Sequence, residues 1–245
     1  MPVQISPLDE IWPGAPRGGR ARGNIGGVTL SIAVDPHPLL EIGAFVTRLP
    51  RPLVEIAAPP QIAAVCGPGA AALMTPSEPV KAAVRDLLRH AGFKPSGRSK
   101  PASEYLAAAF ADGRFPRINA AVDACNAVSL WSGLPISLVD VDRLSGGGAA
   151  GLAIRAAPAG TSYVFNASGQ VIDVGGLICL YDAEGPSGTP VKDAQRTKTH
   201  DGSRCVLSIV WGTRALAGRT ADAVRWYRAL VAAIDGAVIE DVTLA

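Results

Sequence analysis

Between Ser77 and Gly133 the chain shows three helix patterns in succession, whereas between Leu152 and Trp211 it shows only short apolar runs separated by turns. A doubly wound sheet needs strands and helices to alternate, so this segregation predicts an α+β fold. Ser77 can cap a helix whose second residue is Pro79 and which stops at Gly92. Ala102 to Asp112 forms a second helix, ended by Gly113, and Asn119 to about Ser132 a third, closed by Gly133. Near the end of the chain, Thr220 is placed to cap a fourth. Its buried stripe is Val224, Tyr227, Leu230, Val231 and Ile234, and Gly236 ends it.

Strands are expected at Val28 to Val34, Ile42 to Leu49, Leu152 to Ala156, Tyr163 to Asn166, Val171 to Val174, Leu177 to Tyr181 and Arg204 to Trp211. A last strand, Ala237 to Leu244, closes the sequence, and Asn166-Ala-Ser-Gly169 reads as a hairpin turn. Residues 1–26, rich in Pro, Gly and Arg, read as an irregular arm, and residues 27–245 as one domain. Ala57 to Pro79, rich in Ala, Pro and Gly, reads as a linker or wandering loop.

Several function classes find no footing. The four cysteines, Cys66, Cys125, Cys179 and Cys205, form no C-x-x-C pair, so no zinc framework follows. Gly146-Gly-Gly148 precedes a strand and lacks the Lys and Ser/Thr of a phosphate loop, so it reads as a turn. No metal or cofactor is called for. His37 lies between prolines and His90 at a helix end, which leaves His200, in a polar loop, as the histidine to weigh for function. Met1 to Arg22 lacks the apolar core of a secretory signal, and no apolar run approaches the roughly 20 residues of a spanning helix. The expected location is the cytoplasm, with no membrane partner.

The net charge of +2 is too small to demand an anionic partner. Its distribution is uneven. From Lys81 to Arg117 eight cationic side chains face three carboxylates, a surplus that either holds a phosphate backbone or forms a solvated face on two helices.

The third helix carries most of the functional information. At about 100° per residue, Asn119, Asp123 and Asn126 fall within roughly a 60° arc with Leu130 among them. Ala121, Cys125, Val128 and Ser132 line the opposite side. The polar stripe can face a ligand or solvent, and Asn119 can simply cap the helix.

Val122, Asp123, Asn126, Leu130, Gly133, Pro135 and Asp140 repeat, at matching spacing, a Val-Asp-x-x-Asn helix, a Leu-x-x-Gly-x-Pro turn and a strand ending in Asp. In this the segment resembles the B3/B4 editing domain in the beta subunit of bacterial phenylalanyl-tRNA synthetase. The resemblance is looser through Leu144, Gly151, Ile154-Arg155 and Leu177 to Asp182, and covers about 114–211. No synthetase catalytic, anticodon-binding or B5-like region accompanies it, so the chain looks like a free-standing relative. Asp193-Ala-Gln-Arg-Thr197 is similar to a polar loop of such stand-alone proteins.

The resemblance implies a B3/B4-like layered sheet core with packed helices, and a trans-acting hydrolase that deacylates mischarged tRNA. An aminoacyl ester is already activated, so the protein need only hold it and orient a water, which a site of Asn, Ser, Thr and backbone amides can do. By the resemblance Asn126 and Ser137 would hold the aminoacyl group and water, and Asp123 would anchor the helix or the amino group. Lys192, Asp193, Arg196 and Thr197 would close the pocket, and Arg98, Lys100, Arg114 and Arg117 would meet the acceptor end of tRNA. DNA is not an expected partner.

Three positions depart from the family pattern: Cys125 stands for a common Thr, Ser137 for a His, and Lys192 near a carboxylate that accepts the tyrosine hydroxyl. A Lys cannot accept that proton. Losing the acceptor costs about 1–3 kcal/mol of selectivity, so tyrosine specificity is not carried over. The alternative on the same fold is a non-catalytic module binding RNA or an amino acid.

Overall fold

The structure, a computed structural model, describes residues 30–70, 72–145 and 151–245. The expected N-terminal arm, the first two residues of the first expected strand and the Gly146–Gly148 turn lie outside the described residues.

In chain order the elements are β1 (Ser31–Val34), β2 (Leu40–Arg48), α1 (Pro60–Ala64), α2 (Glu78–Arg89), α3 (Ala102–Ala111), α4 (Ala120–Ser132) and β3 (Ile136–Asp140). There follow β4 (Leu152–Ala156), β5 (Ser162–Val164), β6 (Val171–Asp173), β7 (Ile178–Asp182), β8 (Gly185–Gly188), β9 (Cys205–Thr213), α5 (Arg219–Ala232), β10 (Val238–Asp241) and β11 (Thr243–Leu244). One sheet runs β11-β1-β4-β7-β8, a second runs β10-β2-β9-β3, and β5-β6 is a separate hairpin. The architecture is α+β, as the segregation of patterns predicts.

The second sheet is built on β9, whose nine residues are all buried. It pairs antiparallel with β2 along its whole length and with β3 on the other side. A strand buried on both faces reads as a nearly continuous apolar run, which Cys205 to Trp211 supplies except at Ser208, whose hydroxyl bonds that of Tyr227 at 3.2 Å. Against it lies α4, where Ala120, Ala124 and Ala127 are fully enclosed. Small side chains let neighbouring elements approach closely, and α4 touches α1, α3, α5 and β3 at once. The capping reading of Asn119 holds: its Oδ1 accepts from Val122 N at 3.0 Å, and Gly133 closes the helix at φ +70°.

Four expectations need correction. Ala57 to Pro79 is no linker, since it contains α1 and buries Ile62, Val65 and Cys66 in the core. Thr220 does not cap α5: the cap is Gly218 at φ +74°, and the Thr220 hydroxyl donates to Glu41 at 2.5 Å. The last expected strand divides at Val242, so that β10 joins the second sheet and β11 the first. The fourth concerns β8, Gly-Pro-Ser-Gly, which has no strand propensity and was not anticipated. Pairing with β7 and a bond from Ser187 Oγ to Leu180 O at 3.2 Å hold it there.

Candidate active site

Strand β3 is the outer strand of the second sheet, and an open edge presents unpaired amides and carbonyls. The loop 189–198 that follows β8 covers it. Asp193 accepts from Leu138 N at 3.3 Å through one carboxylate oxygen and from Thr189 N at 3.1 Å through the other. Lys198 forms a bridge with Val139, and Ser137 Oγ donates to Thr189 O at 3.0 Å. The loop thereby stitches the edges of the two sheets together. Burial pushes the Asp193 carboxyl up to about 6, against the opposing pull of the Ser137 hydroxyl, the two amides and the Lys198 ammonium.

On its outer side the loop delivers Lys192 into a pocket of about 400 Å³ lined by Arg98, Ser99, Phe165, Gln170, Asp173 and Lys192 among others. The Lys192 ammonium lies 4.1 Å from the centroid of the Phe165 ring and 5.6 Å from that of Tyr105. Burial lowers its pKa, and the nearby Arg98 and Lys198 lower it further. Arg98 reaches Gln170 Oε1 at 3.4 Å, and Lys198 Nζ donates to the Phe165 carbonyl at 2.5 Å. The half-buried Tyr163 fixes the back of the loop, its hydroxyl bonding Thr189 Oγ1 at 3.0 Å and the Lys192 carbonyl. The hairpin expected at Asn166 to Gly169 forms, with Gly169 at φ +76°, and brings Phe165 and Gln170 to this pocket. One cation over two aromatic faces, with Arg98 and the Asp173 carboxylate also lining the pocket, can bind a ligand that is anionic or carbonyl-rich at one end and planar along its body.

The residues expected at a site are thus distributed rather than gathered. Comparison with protein-family models finds no match to this chain, and comparison with curated proteins finds none. Geometry therefore carries the assignment. Arg98 and Lys192 share the pocket, while Lys100 lines a separate crevice. Ser137 is fully buried, its hydroxyl taken by Thr189 O and by Trp211 Nε1 at 2.9 Å. Asp123 is also buried, accepting from Arg117 Nε at 2.8 Å and Ile118 N at 2.7 Å, so it anchors the entry to α4. The expected polar stripe on that helix is accordingly not an open face, because α4 is enclosed on nearly every side. Asn126 is half-buried and lines neither cavity.

Arg196 turns inward too, with Nη1 and Nη2 on the Asp182 carboxylate at 2.7 and 2.6 Å. Burial alone would raise the Asp182 pKa, but Arg196 and the amides of Ser145 and Glu184 outweigh it and hold the carboxyl below its ordinary range. Thr197 is fully buried and donates to Ser187 O at 2.8 Å. Arg114 forms a surface pair with Asp112 at 2.5 Å, and Arg117 pairs with the buried Asp123. Phe165, Gln170, Asp173 and Tyr105 were missed. Their only signal in the sequence is the hairpin turn, which does not say where its strands lean.

Two further clusters have structural geometry. His200 Nε2 and Ser203 Oγ both approach Asp140 Oδ2, at 3.3 and 2.5 Å, and His200 Nδ1 accepts from Gly202 N at 3.1 Å. The serine bonds the carboxylate and not the imidazole, so the set is not wired as a nucleophile with its base. All four thiols are buried. Desolvation pushes Cys66 and Cys205 up to about 11 and Cys125 up to about 12, away from thiolate chemistry.

Proposed function

We propose that the chain acts in trans on aminoacyl-tRNA, hydrolysing the ester between the amino acid and the terminal ribose. The observation that carries this reading is the loop 189–198, which contains Asp193 to Thr197, the segment similar to the stand-alone B3/B4 proteins; it is fastened to β3 through Asp193 and turns Lys192 into a cationic, aromatic-walled pocket. In the proposed complex the planar part of the ligand lies on Phe165 and Tyr105, the α-ammonium faces Asp173, and the ester carbonyl and adjoining phosphate meet Lys192 and Arg98. Water attacks the carbonyl carbon and gives up one proton to solvent, and the oxyanion left on the former carbonyl oxygen is stabilised by the Lys192 ammonium. Collapse releases the ribose oxygen, which takes up a proton from solvent, and the free amino acid. Ser137 and Asp193 act as positioning residues, through Thr189 and the loop backbone.

A deacylation screen over a panel of mischarged tRNAs tests this. At least one ester should be hydrolysed, and Lys192→Ala should slow it by about 10²-fold, the usual loss for one oxyanion donor. If Asn126→Ala abolishes hydrolysis while Lys192→Ala does not, the ester sits against α4 and the pocket assignment fails.

The second reading, a binding module without turnover, is favoured by the enclosure of Asp123 and Ser137, which leaves no side-chain hydroxyl or carboxylate of the motif open to a ligand. Retention of tRNA or amino acid, with no hydrolysis across the whole panel, would establish it in place of the first.

A further inference from the structure

A crevice of about 620 Å³ lies between α2 and α3, with Val80, Val84 and Leu130 as its buried floor and Ala107 and Ala108 along one wall. The first turns of both helices open onto it, through Ser77, Glu78 and Lys81 on α2 and Lys100, Ser103 and Glu104 on α3. Helix starts concentrate unpaired amides and positive potential.

The two starts differ. On α2 the Ser77 hydroxyl accepts from Val80 N at 3.5 Å. On α3 the cap is Pro101, which offers no side-chain acceptor. Ala102 N takes Pro190 O and Glu104 N takes Pro101 O. Between them Ser103 is only 4% exposed, and among the described residues neither its amide nor its hydroxyl has a hydrogen-bond partner.

The charges on the rim leave one cation over. Glu104 is clamped by Arg85 through two bonds of 2.7 Å, and Glu78 is paired with Lys81 at 3.2 Å. Lys100 has no carboxylate partner among the described residues. One end of the crevice therefore offers two unused donors and an ammonium, and the rest offers aliphatic surface.

We infer that this crevice binds a small organic carboxylate with an apolar body, its head on Ser103 and Lys100 and its tail on Val80, Val84 and Leu130. The site is independent of the aminoacyl pocket, although the segment from Arg98 to Ser103 walls both. Titration calorimetry with sodium octanoate and with 3-phenylpropionate tests the inference, with 1-octanol as the uncharged comparison. At least one of the two acids should bind with one-to-one stoichiometry, and octanol at least about tenfold more weakly, since only the acid makes charge-assisted bonds. Ser103→Ala and Lys100→Gln should each weaken the acid about tenfold while leaving octanol unchanged. Circular dichroism melting checks that both variants fold. No binding of either acid at about 5 mM, equal affinity for acid and alcohol, or unaltered affinity in both folded variants would each overturn the proposal.

Discussion

The carboxyl group of Asp193 sits where two sheets meet and is held by amides of Leu138 and Thr189. Its proton affinity is raised to about 6 by burial, against about 3.9 in an unfolded chain. An acid whose pKa is higher when folded stabilises the fold while it stays protonated, and that contribution is lost as pH rises from about 4 through about 6. After allowance for residual solvent screening, the wild type should therefore lose about 2 kcal/mol relative to Asp193→Asn between pH 4 and pH 7. Urea unfolding of both proteins at the two pH values measures the difference. A gap independent of pH would mean that Asp193 is ionised throughout. The family resemblance placed this residue at the rim of a ligand pocket. What turned it inward is the open edge of β3, a demand from another part of the chain that no local pattern records.

At the scale of elements, the long periodic helices α2, α3 and α4 were readable almost to the residue, because caps and glycines mark their ends. The face that α4 presents was not. Ala121, Cys125, Val128 and Ser132 were read as one side opposite a polar stripe, but small residues on all sides allow neighbours on all sides, and only the fold shows which are occupied. The loop 189–198 was legible as a motif and illegible as a fastening. Its Arg196 holds Asp182, whose side chain is fully buried. Arg196→Met should cost about 3 kcal/mol, because removing one partner strands the other charge in the interior. Arg196→Lys should recover only part, since an ammonium cannot make the paired bonds of a guanidinium. Denaturant midpoints at constant m-value check this, and an unchanged midpoint for Arg196→Met would show that the two backbone amides on Asp182 suffice.

For the whole molecule, the α+β class followed from the order of patterns, whereas the basic surplus is reduced by ion pairs the sequence does not show. Lys81, Arg85, Arg89, Arg114 and Arg117 are each paired with a carboxylate, leaving Lys94, Arg98 and Lys100 of the eight cations between residues 81 and 117. If tRNA is bound as proposed, the unpaired cations of this segment should contribute a log–log salt slope no steeper than about −3, where eight would contribute about −7. Filter binding from 50 to 200 mM salt reads the slope. Among the described residues no helix is long and apolar enough to cross a membrane. The order in which the molecule can be completed is also set by its sheets. Ser31 and Ile32, in the first described strand, pair with Thr243 and Leu244, at the far end of the described residues. While the chain emerges from the ribosome, β1 must wait with that edge bare, and until Thr243 and Leu244 clear the exit tunnel the nascent protein offers an open strand to any chaperone or neighbouring chain that can pair with it.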